Sequence, residues 1–520
     1  MRLYGVFFLF VFLLTTHLIQ AQTVGDSHFG FLGPGDPSYN PNYYTEYTNL
    51  GVLLDRPHPG PFVWEIVESE QGSYNWNKTD SLVRSAQEAN VHMLVTIWPY
   101  AEWDQEFWRQ QANWEASGGF EKDLPESRYK PNDSTAYKNW IAAMVERYDG
   151  DGTDDMPGLT LPLKYWETIN EPESADWEEL NFFKGDESDY FDVLRWTYNA
   201  IIEADENAII LHGGSTGVGD EYWQQVFNMG GVDYFHISNT HAITPPPQVT
   251  DLRANQWATL ISNFGIEDFW VTEVEIAQNG EQSYSQREVA EQIIKQYVKA
   301  FEAGGDKIFY AHIYGDSDSP DFLEAALIEV LDYENWQEEK REAYYALQTL
   351  ISKIDFFDAV EALNETQIKF TVGEQTVYVL WGNGMVPNEI QGSVTVTDYL
   401  GNESQMEASN IQLNSSPVFV EASVSTSNEW TENPASFKLN AYPNPFNPNT
   451  NISFTIPESD RVTLSVYDIT GKHVRTIVDN ILVSGDYDYK FNANGLSSGV
   501  YFYRITTSTR IETRKFTLLK

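Results

Sequence analysis

Residues Lys164 to Glu173 read K-Y-W-E-T-I-N-E-P-E, an apolar, aromatic-rich run of strand length that ends in Asn170-Glu171 and is stopped by Pro172. A carboxylate at the mouth of a strand results. Where parallel strands close into a barrel, that end of each strand is the catalytic face, which makes Glu171 the first candidate for chemistry. A Glu beside a Pro, taken alone, is more often a carboxylate at a helix N-terminus. A second strand end changes the balance: Phe269 to Ala277, F-W-V-T-E-V-E-I-A, is β-branched and aromatic and carries Glu273. The gap is roughly a hundred residues, about three βα units of a (β/α)8 barrel. Strands four and seven would then each supply a Glu.

The rest of the first two thirds alternates as such a barrel requires. His28 to Leu32 suits a first strand, and L-G-V-L-L-D-R, ending in Arg56, a second. A helix from Ser81 to Ala89 leads to V-H-M-L-V-T-I-W-P-Y, a third strand that ends at Trp98-Pro99-Tyr100. Ala208 to His212, Val232 to His241 and Lys307 to Gly315 fit strands five, six and eight, with Tyr310 and His312 on one face by the period of two. A helix from Trp336 to Ile351 would close the barrel. The acidic loop Asp149 to Asp155 lacks the twelfth-position ligand of an EF-hand and reads as a solvated turn.

Beyond Asp358 the pattern changes to short alternating strands, the mark of a small antiparallel β domain. A Ser-, Thr- and Asn-rich linker follows, and then a last β-rich segment of about eighty residues. The expected organisation is a signal peptide over 1–22, a barrel over 23–355, a small β-sandwich over 356–424, a linker over 425–438 and a β-sandwich over 439–520. The signal rests on Arg2 before the apolar run Val6 to Leu14, with Ala21 before a cut. That run is too short to span a bilayer comfortably, so export is favoured over an anchor, with no membrane span in the mature chain.

Composition narrows the partners. With 77 acidic against 32 basic residues, the formal charge of -45 argues against nucleic acid and anionic lipid. There is no Cys, which removes disulfides, Cys-based metal sites and a Cys nucleophile. No cofactor is called for. A metal-dependent hydrolase on the same barrel would want a His-x-His at strand one, and none occurs.

Asn170-Glu171-Pro172 and Thr272-Glu273 together resemble the strand-four and strand-seven motifs of the glycoside hydrolases of clan A, which are retaining enzymes on (β/α)8 barrels. The resemblance covers roughly residues 25 to 350, and it includes a W-x-I-V-E-x-x-x-G-x-Y-x-W phrase from Trp64 to Trp76. It implies Glu171 as acid/base and Glu273 as nucleophile in cleavage of an O-glycosidic bond in a poly- or oligosaccharide. Glu275, on the same strand face, is not excluded as nucleophile. The resemblance further implies Asn170 as donor to a sugar 2-hydroxyl, Arg56 near the nucleophile, Trp98 as a sugar-stacking ring, and His241, Tyr310 and His312 as substrate contacts. Relatives often end strand six with His-x-Tyr, where this chain has His241-Ala242-Ile243.

The tail, with Y-P-N-P-F-N-P at 442–448, D-I-T-G-K at 468–472 and S-S-G-V-Y-F-Y-R at 497–504, resembles the C-terminal sorting domain of the type IX secretion system. That implies contact with the type IX machinery and an address on the cell surface or in the medium. Such a tail delivers cargo of any kind, so a noncatalytic, surface-displayed glycan-binding or adhesive protein is the alternative reading. Two Glu residues at the right strand ends argue against it.

Overall fold

The computed structural model describes residues 27–33, 43–117, 124–173, 181–217, 220–244, 250–276, 284–317, 320–333, 335–422, 439–442, 446, 448–456, 460–467, 472–482, 485–493, 496–507 and 511–518. The signal peptide and the linker expected from sequence lie outside these residues. The chain divides into two compact units, 1–424 and 425–520.

In the first unit, eight parallel strands form one sheet in the order β5-β4-β3-β2-β1-β8-β7-β6. They are β1 (Phe29–Gly33), β2 (Leu54–Pro57), β3 (His92–Ile97), β4 (Tyr165–Thr168), β5 (Ile209–His212), β6 (Ser238–Thr244), β7 (Phe269–Ile276) and β8 (Gly305–Tyr310). The circle closes through parallel bridges Leu211 to Ile237 and Ser215 to Thr240. The (β/α)8 barrel read from sequence is therefore present. Three of its helices start where their sequences supply caps: Asp133 and Asp186 each accept two backbone N–H groups, and Ser285 forms a capping box with Glu288.

The lumen is layered. Leu54, Leu94, Tyr165, Leu211, Trp270 and Phe309 form an apolar floor. Gly30 on β1 leaves room for the Phe309 ring, since a Cβ there would lie 2.4 Å from it. Two residues further along their strands, and so on the same side, stand Arg56, Thr96, Glu167 and Thr272. The floor thus gives way to a polar layer beneath the mouth.

After β8 the chain forms β9 (Tyr314–Gly315), β10 (Ile328–Asp332) and β11 (Gln337–Lys340), a small sheet in the order β11-β10-β9. The helix expected from Trp336 begins only at Glu342 and runs to Ile354. The physical reason is the alternation of exposed and half-buried side chains over Gln337–Lys340, which is a strand period and pairs with β10.

The region expected as a β-sandwich forms one six-stranded antiparallel sheet instead, in the order β12-β13-β14-β17-β15-β16. Its strands are β12 (Ala359–Asn364), β13 (Gln367–Val372), β14 (Gln375–Leu380), β15 (Ser393–Asp398), β16 (Glu403–Glu407) and β17 (Val418–Ala422). One face (Ile368, Phe370, Val377, Val379, Trp381, Phe419) joins the core of the barrel. The other packs Tyr378, Leu380, Val394 and Val420 against Ile390 and Ala408. A second sheet is unnecessary because the barrel's outer helices cover the first face.

In the second unit, β18 (Leu439–Tyr442), β19 (Asn449–Ile456) and β22 (Gly485–Asn492) make one sheet. The other holds β20 (Asp460–Tyr467), β21 (His473–Leu482), β23 (Gly499–Thr506) and β24 (Ile511–Leu518). Their inward residues share a core in which Phe446 stacks on Phe516 at 5.1 Å.

Since Phe370 is fully buried in the shared core, Phe370→Ala is expected to cost about 3–5 kcal/mol of the first unit's stability. Calorimetry should show that transition moving to lower temperature while the second unit's stays in place. A third transition for residues 356–422, with the barrel's midpoint unmoved, would contradict the shared core.

Candidate active site

Arg56 is wholly buried in the polar layer of the lumen. Its Nε donates to Glu167 Oε2 at 2.9 Å and Nη2 lies 2.8 Å from the same oxygen. Nη1 donates to Glu273 Oε2 at 3.2 Å and Nη2 to Asn170 Oδ1 at 2.6 Å. One guanidinium thus ties strand two to strands four and seven. Arg56, expected from sequence to stand near Glu273, bonds it, and Asn170 beside it is also buried.

The mouth is shaped by two backbone devices. On β7 the ladder to β8 slips between Val271 and Val274. The slip sends Thr272 and its neighbour Glu273 both to the lumen, as bulges near barrel rims do. After β4 ends at Thr168, Ile169 and Glu171 have φ of 63° and 40°. Non-glycine residues held left-handed are costly and concentrate at functional sites. Sequence reading carried the strand on to Glu171; the turn replaces its last residues and swings the carboxyl over the pocket.

Hydrogen-bond polarity fixes where the protons lie. Glu167 accepts from Thr96 Oγ1 at 2.5 Å and from Asn239 Nδ2 at 2.6 Å. With the Asn239 amide nitrogen so used, its Oδ1 accepts the Thr272 hydroxyl proton at 2.7 Å. Thr272 Oγ1 has then spent its hydrogen and accepts from His241 Nε2, 3.1 Å away. Burial lowers the His241 imidazole to about 4, with the Arg56 charge adding to the effect and the Glu273 charge opposing it. The ring is therefore neutral near pH 7 and its Nδ1 bears no hydrogen. Glu171 Oε1 stands 2.7 Å from that nitrogen, so the proton between them belongs to Glu171.

The electrostatics agree. Burial first, and the Glu273 charge second, push the Glu171 carboxyl well above the usual carboxylate range. Burial opposes the Glu273 charge too, but the cationic and imidazole groups around it outweigh burial and hold it below that range. With His241 neutral, Arg56 is the standing cation among them. Oxygens of Glu171 and Glu273 and a nitrogen of His241 all lie within 4.8 Å of one another.

Other sequence expectations fall out differently. His312 Nε2 is 2.8 Å from Glu275 Oε1, so this pair shares the mouth with Glu273. Tyr310 faces away: it is buried and its hydroxyl donates to the Ala325 carbonyl at 2.6 Å. The two-residue period that joined it to His312 fails because β8 ends at Tyr310. Trp98 is fully buried, bonded to the Pro59 carbonyl and packed on His58 and Phe182, which leaves no face for a sugar. Glu167, Asn239 and Thr96 were missed, and Thr272 was named only as the neighbour of Glu273. Each lies two residues beyond an inward residue or before a named one, and that spacing was the available signal.

Residues 440–518 match the family described as the secretion system C-terminal sorting domain. No curated protein matches the chain in sequence. Among solved structures, a GH39 β-xylosidase from Caulobacter crescentus aligns with a TM-score of 0.53 at 13% identity, over 76% of this chain and 96% of that one. A monomeric β-xylosidase from Caulobacter crescentus CB15 gives 0.52 at 12% identity over 76% and 95%. SrfJ from Salmonella typhimurium gives 0.51 at 11% over 76% and 89%. At such identities the likeness shows a shared fold.

Removing the Arg56 cation leaves the buried Glu167 carboxylate and the part-buried Glu273 carboxylate without their partner. Arg56→Met is expected to cost about 3–5 kcal/mol in denaturant unfolding, and adding Glu167→Gln should return part of it. Strictly additive losses in that double-mutant cycle would show that the pair is not coupled.

Proposed function

We propose that the barrel is a retaining glycoside hydrolase that cleaves O-glycosidic bonds of a poly- or oligosaccharide by double displacement. Glu171 is the acid/base and Glu273 the nucleophile. The observation that carries this reading is a protonated carboxyl facing an ionised one, with oxygens no more than 4.8 Å apart. Retaining enzymes hold the two carboxyl groups ~5–5.5 Å apart, and inverting enzymes need ~6.5–9.5 Å to admit a water. Glu171 gives its proton to the leaving oxygen while Glu273 attacks the anomeric carbon. In the second step Glu171 takes a proton from the water that releases the sugar. Asn170, oriented by Arg56, is the proposed donor to the 2-hydroxyl, and His241 positions Glu171. The fold shared with two β-xylosidases supports the reaction class.

The sorting-domain match supports delivery to the cell surface or the medium, and we assign that step to the type IX machinery after export by the signal peptide over 1–22. Among the described residues no helix is long and apolar enough to cross a membrane.

Purified protein should hydrolyse at least one member of a panel of glycosides with retention at the anomeric carbon. Glu171→Gln is expected to slow hydrolysis by ~10²–10⁴ when the leaving group is poor, and far less when it is a dinitrophenolate. Azide should restore turnover of an activated glycoside by Glu171→Ala. Unchanged rates in both Glu171→Gln and Glu273→Gln would eliminate the assignment.

The two protonation states also set the pH profile. Activity needs Glu273 ionised and Glu171 protonated, so the acid limb lies below the usual carboxylate range and the alkaline limb above it. With an activated substrate, Glu171→Gln should lose the alkaline limb and keep the acid one. Persistence of the alkaline limb would assign it to another group.

A further inference from the structure

The β9–β11 sheet carries a cluster of rings that the two-carboxylate reaction does not use. Trp336 meets Tyr314 edge-on at 5.7 Å and Tyr333 edge-on at 6.0 Å. Tyr333 is 58% exposed and Leu331, on the same hairpin, 56%. Single exposed apolar residues are ordinary on a surface, but a contiguous group beside a pocket marks a binding place. The rings are also held in position. The Trp336 indole N–H donates to Glu338 at 2.9 Å and the Tyr333 hydroxyl to Asp316 at 2.7 Å. Trp336 itself sits at a φ of 46°, a conformation a bulky residue adopts only under constraint from its surroundings.

The cluster is continuous with the mouth of the barrel. Tyr314 lies two residues beyond His312, which contacts Glu275, itself two residues beyond Glu273 on β7. Backbone bonds from Leu327 to the His312 carbonyl and from Ile328 to the Ile313 carbonyl fasten the hairpin to the rim. Because β10 runs parallel to β9, the turn bearing Tyr333 and Trp336 projects past the end of the barrel strand.

We propose that Tyr333 and Trp336, backed by Tyr314, form a stacking subsite for a distal pyranose ring of a neutral glycan chain whose scissile bond lies between Glu171 and Glu273. Aromatic faces match the apolar faces of sugar rings, and polar edges match their hydroxyls. Here the polar edges of Tyr333 and Trp336 bond Asp316 and Glu338, and Asp332 accepts from Asn335 between them, which surrounds the rings with carboxylates. That acidic rim, on a chain of formal charge -45, repels uronate or sulfated chains. The subsite rests on the hydrolytic reading above and adds that the substrate is several rings long and uncharged.

Tyr333→Ala and Trp336→Ala test it on two kinds of substrate. A 4-nitrophenyl monoglycoside is too short to reach the hairpin, so kcat/KM on it should equal that of the unaltered protein. Neutral hexasaccharides, β-1,4-linked glucose, xylose or mannose, should lose about 3- to 10-fold, mainly through KM. Hexagalacturonate should not be a substrate. Equal losses on both substrate lengths, no loss on either, activity confined to monoglycosides, or a preference for the uronate would each overturn the subsite. So would a change in oligomeric state by sedimentation in Tyr333→Ala, which would assign the patch to a second copy of the chain. Calorimetric titration of the neutral hexasaccharides into the full chain separates this from the parent reading. If no glycoside is hydrolysed, the hydrolytic reading fails, while binding that Tyr333→Ala weakens would still support the subsite.

Discussion

Among the described residues, the cation hydrogen-bonded to the pocket's glutamates is the Arg56 guanidinium, and it is shared by carboxylates from two other strands. Burying an ion is tolerated only when it is paired and hydrogen-bonded. Glu167 meets that condition with donors from Arg56, Thr96 and Asn239, and Glu273 meets it through Arg56. Among the described residues, the hydrogen-bond partner of the Glu171 carboxyl is the bare nitrogen of a neutral imidazole. Of the facing pair Glu171 and Glu273, it is the one with no guanidinium hydrogen-bonded to it, and the one that keeps its proton. The proposed division into an acid and a nucleophile rests on this arrangement of charges, which is in place before any substrate arrives.

The barrel makes the count possible by layering its lumen. Apolar floor residues give way two positions later to Arg56, Thr96, Glu167 and Thr272, an outcome of strand period alone. Regular strands would stop there, since the next inward positions would follow the same period. The slip on β7 and the left-handed turn after β4 break it, each at a carboxylate. At Glu171 and Glu273 the irregular backbone coincides with the carboxyl groups that face each other across the pocket.

Much of this was legible in the sequence. Strand-length aromatic runs ending in Glu171 and Glu273 located the two strands because a buried parallel strand is apolar on both faces. Arg56, Asn170, His241 and His312 came to the same mouth. Tyr310 and Trp98 did not, because an inward aim was inferred from a strand period that had already ended and from a ring that turned out to be packed below the rim. Glu167 stood unnoticed inside the very motif that was read first: a buried carboxylate looks the same in sequence as an exposed one until its cation is placed. The helix expected from Trp336 failed for a similar reason. A closing helix was expected to begin at Trp336, while pairing of Gln337–Lys340 with β10, a contact made in space, decided for a strand there.

The most direct measurement of the central claim is covalent trapping. An activated 2-deoxy-2-fluoroglycoside slows release of the glycosyl-enzyme, and peptide mapping by mass spectrometry then locates the sugar. The charge distribution around Arg56 predicts a single adduct on Glu273. An adduct on Glu275, Glu167 or Glu171, or turnover of the reagent by a water without any adduct, would contradict it.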